Sequence, residues 1–284
     1  DPARILRAIR LAANVGLTID GRLSEAMSSF SSHLISIAPE RVRDELVRSL
    51  TGRDPGRVLD LLSEHDILTH ILPEIGAMKD VAQPERFHPE GDVFTHVRLM
   101  MGMLCNPPLA LVLAVLCHDI GKPLCRTTVD RIRFHGHEQV GAKLTDAILE
   151  RLRFSNTVRE EVVACVENHM RFKDVLIMRR GTLRNLMSRK TFPIEMELHR
   201  LDCKASHGDM RTWEFISEQY KLFLEEGDQP QPLLRGRDLL EMGIPEGPLI
   251  GQALAHVEHL HMEGIIQNRE EALAEVMRWK ETVV

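Results

Sequence analysis

Apolar residues recur at three- and four-residue intervals along almost the whole chain. Residues 1–21 carry Ile5, Leu6, Ile9, Ala12 and Ala13 between Arg4, Arg7 and Arg10, a pattern that predicts an amphipathic helix stopping at Gly16. A second helix is predicted from Ala38, with Pro39 in its first turn and Val42, Leu46, Val47 and Leu50 on one face. The pattern continues from Pro55 to Leu62 and from Leu68 to Ile75. Pro84 to Gly91 is polar and contains two prolines, and it reads as a loop and a domain boundary. Beyond it, helices are predicted near 92–104, 108–118, 137–152, 157–170, 182–189 and 193–206, followed by a long one over 212–226. Gln229-Pro230-Gln231-Pro232 predicts a linker, and 233–284 holds two or three more helices. No stretch of alternating Val, Ile or Thr predicts a strand, and there is no repeat or low-complexity segment. The expected fold is all-α.

Composition supports that reading and narrows the class. The 284 residues are 43% hydrophobic but only 4% aromatic, so apolar volume comes from aliphatic residues and 13 Met, which lean helical. That length suits about two domains of ~150 residues. A net charge of -6 excludes a generally basic nucleic-acid binder, so any such contact needs a local patch. Cys105, Cys117, Cys125, Cys165 and Cys203 form no CxxC pair, which fits reduced thiols better than disulfides or a structural zinc site. Neither a signal peptide nor a membrane-length apolar run is present, and a soluble, cytoplasmic protein with no membrane partner is expected.

The candidate chemistry centres on His118-Asp119, which closes the almost wholly apolar run from Leu109 to Cys117. A carboxylate buried there is costly unless a cation compensates it. His96 begins a helix whose stripe is Val97, Met100, Met101 and Leu104. His137 precedes Val140, Gly141 and Leu144 on an inward face, His169 follows Val162, Cys165 and Val166, and Asp202 shares a face with Leu198 and Ala205. A lone histidine on an apolar stripe is ordinarily a hydrogen-bonded core residue. Five such coincidences on successive helices point instead to a metal centre. Mixed imidazole and carboxylate ligands suit Mn, Fe, Co, Ni or Zn, and Mg is not distinguished from these. His256, His259 and His261 on a late helix read as surface residues.

His96, His118-Asp119 and Asp202 resemble the H…HD…D signature of the HD superfamily of metal-dependent phosphohydrolases, and His137 and His169 look like the extra pair of its binuclear members. The resemblance implies a divalent cofactor of one or two ions, catalytic Asp119, and a phosphate-facing Lys122 in His-Asp-Ile-Gly-Lys. The segment that marks HD-GYP proteins is missing, which argues against a cyclic-dinucleotide activity. A longer resemblance spans nearly the whole chain. Gln83-Pro84-Glu85-Arg86-Phe87-His88-Pro89-Glu90-Gly91-Asp92, Cys117 to Lys122, and Arg133-Phe134-His135-Gly136-His137-Glu138 look like the HD tail of bacterial CCA-adding enzymes, in the class II tRNA nucleotidyltransferase and poly(A) polymerase family. Asp1-Pro2-Ala3-Arg4 is similar to that family's EDxxR element, whose glutamate would precede Asp1. Pro39 to Leu46 resembles the ERxxxE neck helix, Leu72-Pro73-Glu74-Ile75 the end of the body, and Leu234 to Gly251 part of the tail.

By that resemblance, 1–82 is a neck and body, 83–210 an HD-domain helical bundle, and 211–284 a helical tail. Asp1 and Arg4 are the expected nucleotide-binding residues. His88, Arg133 and His135 are expected phosphate contacts or supports of the metal ligands, and Arg131 and Arg133 either meet phosphates or solvate a loop. The family's nucleotidyl-transfer aspartates lie in an N-terminal head; no Asp-x-Asp occurs here, so the chain is expected to lack the head and not to polymerise nucleotides. Three functions remain open. The HD site hydrolyses phosphoesters, with nucleoside 2′,3′-cyclic phosphates, 2′-nucleotides or RNA 3′ ends as substrates and tRNA as a partner of the full-length protein. Alternatively, the chain is a non-catalytic tRNA-docking tail. A nucleotide sensor using Asp1 and Arg4 is the third.

Overall fold

The computed structural model describes residues 1–84, 88–128, 130–225, 232–262 and 264–283. Glu85-Arg86-Phe87 of the His88 motif and Gln229-Pro230-Gln231 of the proline-rich run lie outside the described residues. The fold is all-α: among the described residues, β-pairing is confined to two isolated bridges, Ala82 with Asp92 and Thr127 with Arg133. No described helix is long and apolar enough to cross a membrane. The chain forms two compact units. The first holds Asp1–Phe172 and Pro193–Trp213; the second holds Lys173–Phe192 and the chain from Glu214 onward.

In the first unit one apolar core runs from Ile5 to Ala205. The helix Ala3–Val15 buries Ile5, Leu6, Ile9, Ala12 and Ala13 and ends at Gly16, whose φ of 79° is the left-handed value that glycine tolerates. Arg10 Nε donates to Glu45 Oε2 at 2.9 Å and ties that helix to Pro39–Leu50. The helix Leu109–Cys117 has no polar face, and every residue from Ala110 to Cys117 is buried, so it occupies the middle of the unit. The second unit has its own core of Leu234, Leu239, Ile244, Ala253, Val257, Ile266, Ala272 and Val276.

Two stretches differ from the sequence expectation. The helix expected over Leu68–Ile75 is two single turns, Leu68–Ile71 and Pro73–Gly76. Pro73 supplies no N–H and forces the preceding Leu72 out of the helical region, to φ -140° and ψ 59°. The helix Gly21–Phe30 was not anticipated. It buries only Met27 and so carries almost no apolar period; the Asp20 carboxylate starts it by accepting from Arg22 N and Leu23 N.

Candidate metal centre

Six side chains reach one place from five parts of the first unit. Asp92 caps the helix Val93–Gly102 through Thr95 N at 2.8 Å, which sets His96 in its first turn. His118 and Asp119 sit where the apolar helix Leu109–Cys117 ends, at the negative end of its dipole. His137 is the first residue of the helix His137–Arg151, His169 follows the helix Asn156–Asn168, and Asp202 comes from Phe192–Ala205. Glycine makes the approach possible. A Cβ at Gly121 would collide with the carbonyl oxygen of His137 and stand 2.7 Å from Gly141 N, so only glycine lets the Asp119 turn lie against the His137 helix.

The rings are aimed by their outer nitrogens. Nδ1 of His118, His137 and His169 lies 2.9, 2.8 and 2.6 Å from the carbonyl oxygens of Val115, Phe134 and Val166. A carbonyl only accepts, so each ring carries its proton on Nδ1 and, when neutral, turns a lone pair on Nε2 inward. The inward atoms crowd together. His137 Nε2 is 3.1 Å from His169 Nε2 and 3.3 Å from Asp119 Oδ1. His96 Nε2 is 3.1 Å from Asp202 Oδ1, and His118 Nε2 is 3.2 Å from Asp119 Oδ2, yet neither nitrogen has a well-aligned hydrogen-bond partner among the described residues. Ligands about 2.0 Å from a shared tetrahedral ion stand about 3.3 Å apart, which is the spacing seen here.

Ligand-type atoms fall into three overlapping groups: His88, Glu90 and His96; His96, His118 and Asp202; Asp119, His137 and His169. Asp119 faces two of the sets, with Oδ1 towards His137 and Oδ2 towards His118. Three carboxylates (Glu90, Asp119, Asp202) stand against one ammonium, Lys122, an excess of negative charge that suits divalent cations. His96, His118, Asp119, His137 and His169 are all buried, while the Asp202 side chain is 32% exposed and opens the cluster to solvent.

Electrostatics follow from that burial. Desolvation would raise the Asp119 carboxyl, but the charges of His118 and Lys122 hold it well below the usual carboxylate range. Burial likewise works against a charged Asp202, and His96 beside it keeps that carboxyl low. Burial, reinforced by His118, pushes His169 down to about 3, so its ring is neutral and ready to ligate. Burial opposes a charged His96 too, but the Asp202 and Glu90 carboxylates outweigh it and raise the ring to about 9 in the metal-free protein. Cys117, adjacent in sequence, is pushed up to about 12 by burial and offers no thiolate ligand.

Lys122 Nζ lies 2.6 Å from Asp119 Oδ2, donates to Gln83 Oε1 at 2.6 Å, and stands 5.5 Å from the centre of the Phe134 ring. Glu90 Oε1 accepts from Nδ1 of both His96, at 2.6 Å, and His88, at 2.9 Å. In the sequence, Gln83 and Glu90 stand out only as letters of a motif, with no role attached. Of the remaining candidates, His88 therefore joins the cluster through Glu90. Arg133 does not: its guanidinium pairs with Asp130 at 2.6 Å, and His135 and Arg131 are exposed. His256 pairs with Glu275 at 3.0 Å in the second unit. Asp1 accepts from Ala3 N and pairs with Arg41 at 3.0 Å, and Arg4 is exposed beside it. Together with Arg7 and Glu45 they line a cleft of about 570 Å³.

Two family models match parts of the chain. A family model described as the probable RNA- and SrmB-binding site of polymerase A matches residues 16–78, and an HD-domain model matches 93–202. The chain is 33% identical to the CC-adding tRNA nucleotidyltransferase of Thermus thermophilus, over 99% of this chain and 67% of that protein. It is 31% identical to the A-adding tRNA nucleotidyltransferase of Deinococcus radiodurans, over 99% of this chain and 69% of the relative. Its fold is similar to that of the Bacillus stearothermophilus CCA-adding enzyme in complex with CTP, with a TM-score of 0.64 at 17% identity, covering 99% of this chain and 62% of that one. The chain thus spans about two thirds of the length of these proteins, and it matches between 42% and 64% of the length of several multifunctional CCA proteins.

Proposed function

Because the chain belongs to the tRNA nucleotidyltransferase family, we propose that it joins an RNA-binding helical body to a divalent-metal phosphohydrolase centre of the HD type. The observation that carries the second half is the inward crowding of imidazole Nε2 atoms and carboxylate oxygens around Asp119. His96, His118, Asp119, His137, His169 and Asp202 would hold the ion or ions. A divalent ion held there would polarise a phosphoryl oxygen and acidify a water molecule.

The chain's own residues supply the rest. Backbone carbonyls fix the His118, His137 and His169 tautomers, so the ligand atoms need no reorganisation. His118 and Lys122 together keep Asp119 ionised against the burial that opposes its charge. An ammonium has three N–H bonds, and Asp119 and Gln83 take two of Lys122's, so the third is spare for a phosphoryl oxygen. Burial on the His137 and His169 side excludes bulk water, leaving the Asp202 side for substrate. The substrate classes that fit a family of RNA 3′-end enzymes are nucleoside 2′,3′-cyclic phosphates, 2′-nucleotides and RNA 3′-terminal phosphates. On the body, the cleft between Asp1, Arg4, Arg7 and Arg41 is the proposed nucleotide- or RNA-facing surface.

The deciding experiment pairs elemental analysis of the purified protein with turnover of 2′,3′-cyclic AMP, in the parent and in His118→Ala and Asp119→Ala. Bound metal with turnover lost in both variants is the expected result. A protein that takes up no divalent metal under any loading condition would sink the proposal. The match of 16–78 to an RNA-binding model favours a second reading, in which the chain docks tRNA without hydrolysing anything. Metal bound without turnover, together with a salt-sensitive tRNA affinity, would select it.

A further inference from the structure

Among the four rings that face the cluster, three lean their Nδ1 on the backbone, each on the carbonyl three residues earlier. His96 alone leans on a side chain. Glu90 Oε1 takes the N–H of His96 at 2.6 Å and that of His88 at 2.9 Å, while Glu90 Oε2 has no hydrogen-bond partner among the described residues. The Glu90 side chain is 5% exposed, His96 is fully buried, and the His88 and His96 rings pack edge to face with centres 5.0 Å apart. One oxygen of the carboxylate is thus held by two rings, and the side chain is nearly shut off from water.

An ionised carboxylate only accepts hydrogen bonds, so both rings must carry a proton on Nδ1. For His96 this leaves Nε2, the atom 3.1 Å from Asp202 Oδ1, as the nitrogen available to an ion. The 2.6 Å separation of Glu90 and His96 is itself a charge-assisted hydrogen bond, shorter than the about 3.3 Å between two ligands of one tetrahedral ion. Glu90 therefore stands behind a ligand rather than beside one.

We propose that Glu90 is a positioning residue: it sets the tautomer and the aim of His96 towards the metal, and His88 is the second donor that pins the carboxylate in place. The inference rests on the metal-centre reading of the same cluster. It is tested in the full chain by the Zn2+ dissociation constant, measured by chelator competition, and by the His96 tautomer, read from imidazole nitrogen-15 NMR of the metal-free protein above pH 9, where the ring is neutral. Glu90→Ala should weaken Zn2+ binding about 10- to 100-fold, the range for lost ligand supports, and release His96 into a mixture of tautomers. Glu90→Gln keeps the volume and one acceptor oxygen but loses the charge; it should fold like the parent and weaken Zn2+ towards the lower end of that range. Zn2+ affinity unchanged in Glu90→Gln, even with a lowered melting temperature, overturns the proposal and leaves Glu90 a structural residue. A parent that takes up no Zn2+ would remove the metal-centre reading and this one together, whereas a parent that binds with variants that bind equally well removes only this one.

Discussion

His137 and His169 turn their Nε2 atoms towards each other across 3.1 Å, although the carbonyls of Phe134 and Val166 already hold a proton on the opposite side of each ring. Two neutral rings so held present lone pair to lone pair. A cation shared with Asp119 Oδ1, 3.3 Å from His137, relieves that repulsion. Removing either ring by alanine substitution should lower bound metal by about one equivalent after dialysis, because three N/O donors are already few for a retained divalent ion. Elemental analysis of His137→Ala and His169→Ala against the parent checks this; metal content equal to the parent's in both would contradict it.

Asp119 and Lys122 form a buried pair 2.6 Å apart, with side chains 3% and 8% exposed. Removing one partner strands the other charge, which costs about 3–5 kcal/mol. In metal-stripped protein, Asp119→Asn and Lys122→Met should each lose stability on that scale by urea denaturation. The double variant should recover a large part of the loss, since it buries neither charge. Additive losses in the double variant would mean that the pair is not coupled.

The side chains of the cluster are legible in the sequence because they sit on helices whose apolar period is unambiguous. His96, His137 and His169 fall on faces with Met100, Gly141 and Val166, and a period of 3.6 residues is enough to fix the direction in which each ring points. Glu90 and Gln83 are not legible in the same way. They lie in the loop closed by the Ala82–Asp92 bridge, where direction is set by the closure itself and by the cap at Asp92, neither of which leaves a periodic trace. The helix Gly21–Phe30 escapes for a related reason, since its one buried residue, Met27, defines no stripe.

Acid should unfold the metal-free protein earlier than its carboxylates alone would require. Burial holds His169 at about 3 and His199, which stacks on Phe172 and contacts Thr212, at about 4, against 6.5 in the unfolded chain. Between those values the unfolded state binds more protons than the folded one, so stability falls as pH drops below 6.5. His96, raised to about 9, acts oppositely: its stabilisation is complete below 6.5 and is lost as pH climbs through 9. Unfolding free energies from about pH 4 to 6.5 should therefore slope steeply. His199→Gln should flatten that slope by about 1.4 kcal/mol per pH unit, the value for one proton. An unchanged slope would show that His199 titrates normally in the folded state.

Gly121 joins fold to chemistry most directly, because its missing side chain decides how near Asp119 comes to His137. Its backbone is ordinary for any residue; what forbids a larger one is space, since a methyl group would meet His137 O and Gly141 N, both of them backbone atoms of one helix. Backbone cannot rotate away as a side chain would, so Gly121→Ala must push the His137–Arg151 helix off the Asp119 turn. Overpacking of this kind costs about 1–3 kcal/mol. The larger effect falls on the metal, because a shift of even half an ångström breaks the shared aim of His137 and Asp119. Gly121→Ala should keep its helical circular dichroism, melt earlier and lose affinity for Zn2+ by chelator competition. Gly16→Ala, strained at its own φ of 79° but with nothing within 4 Å, provides the control: it should melt earlier and bind Zn2+ as the parent does. Equal Zn2+ affinities in the two variants would separate the glycine contact from the metal centre and leave it a packing feature alone.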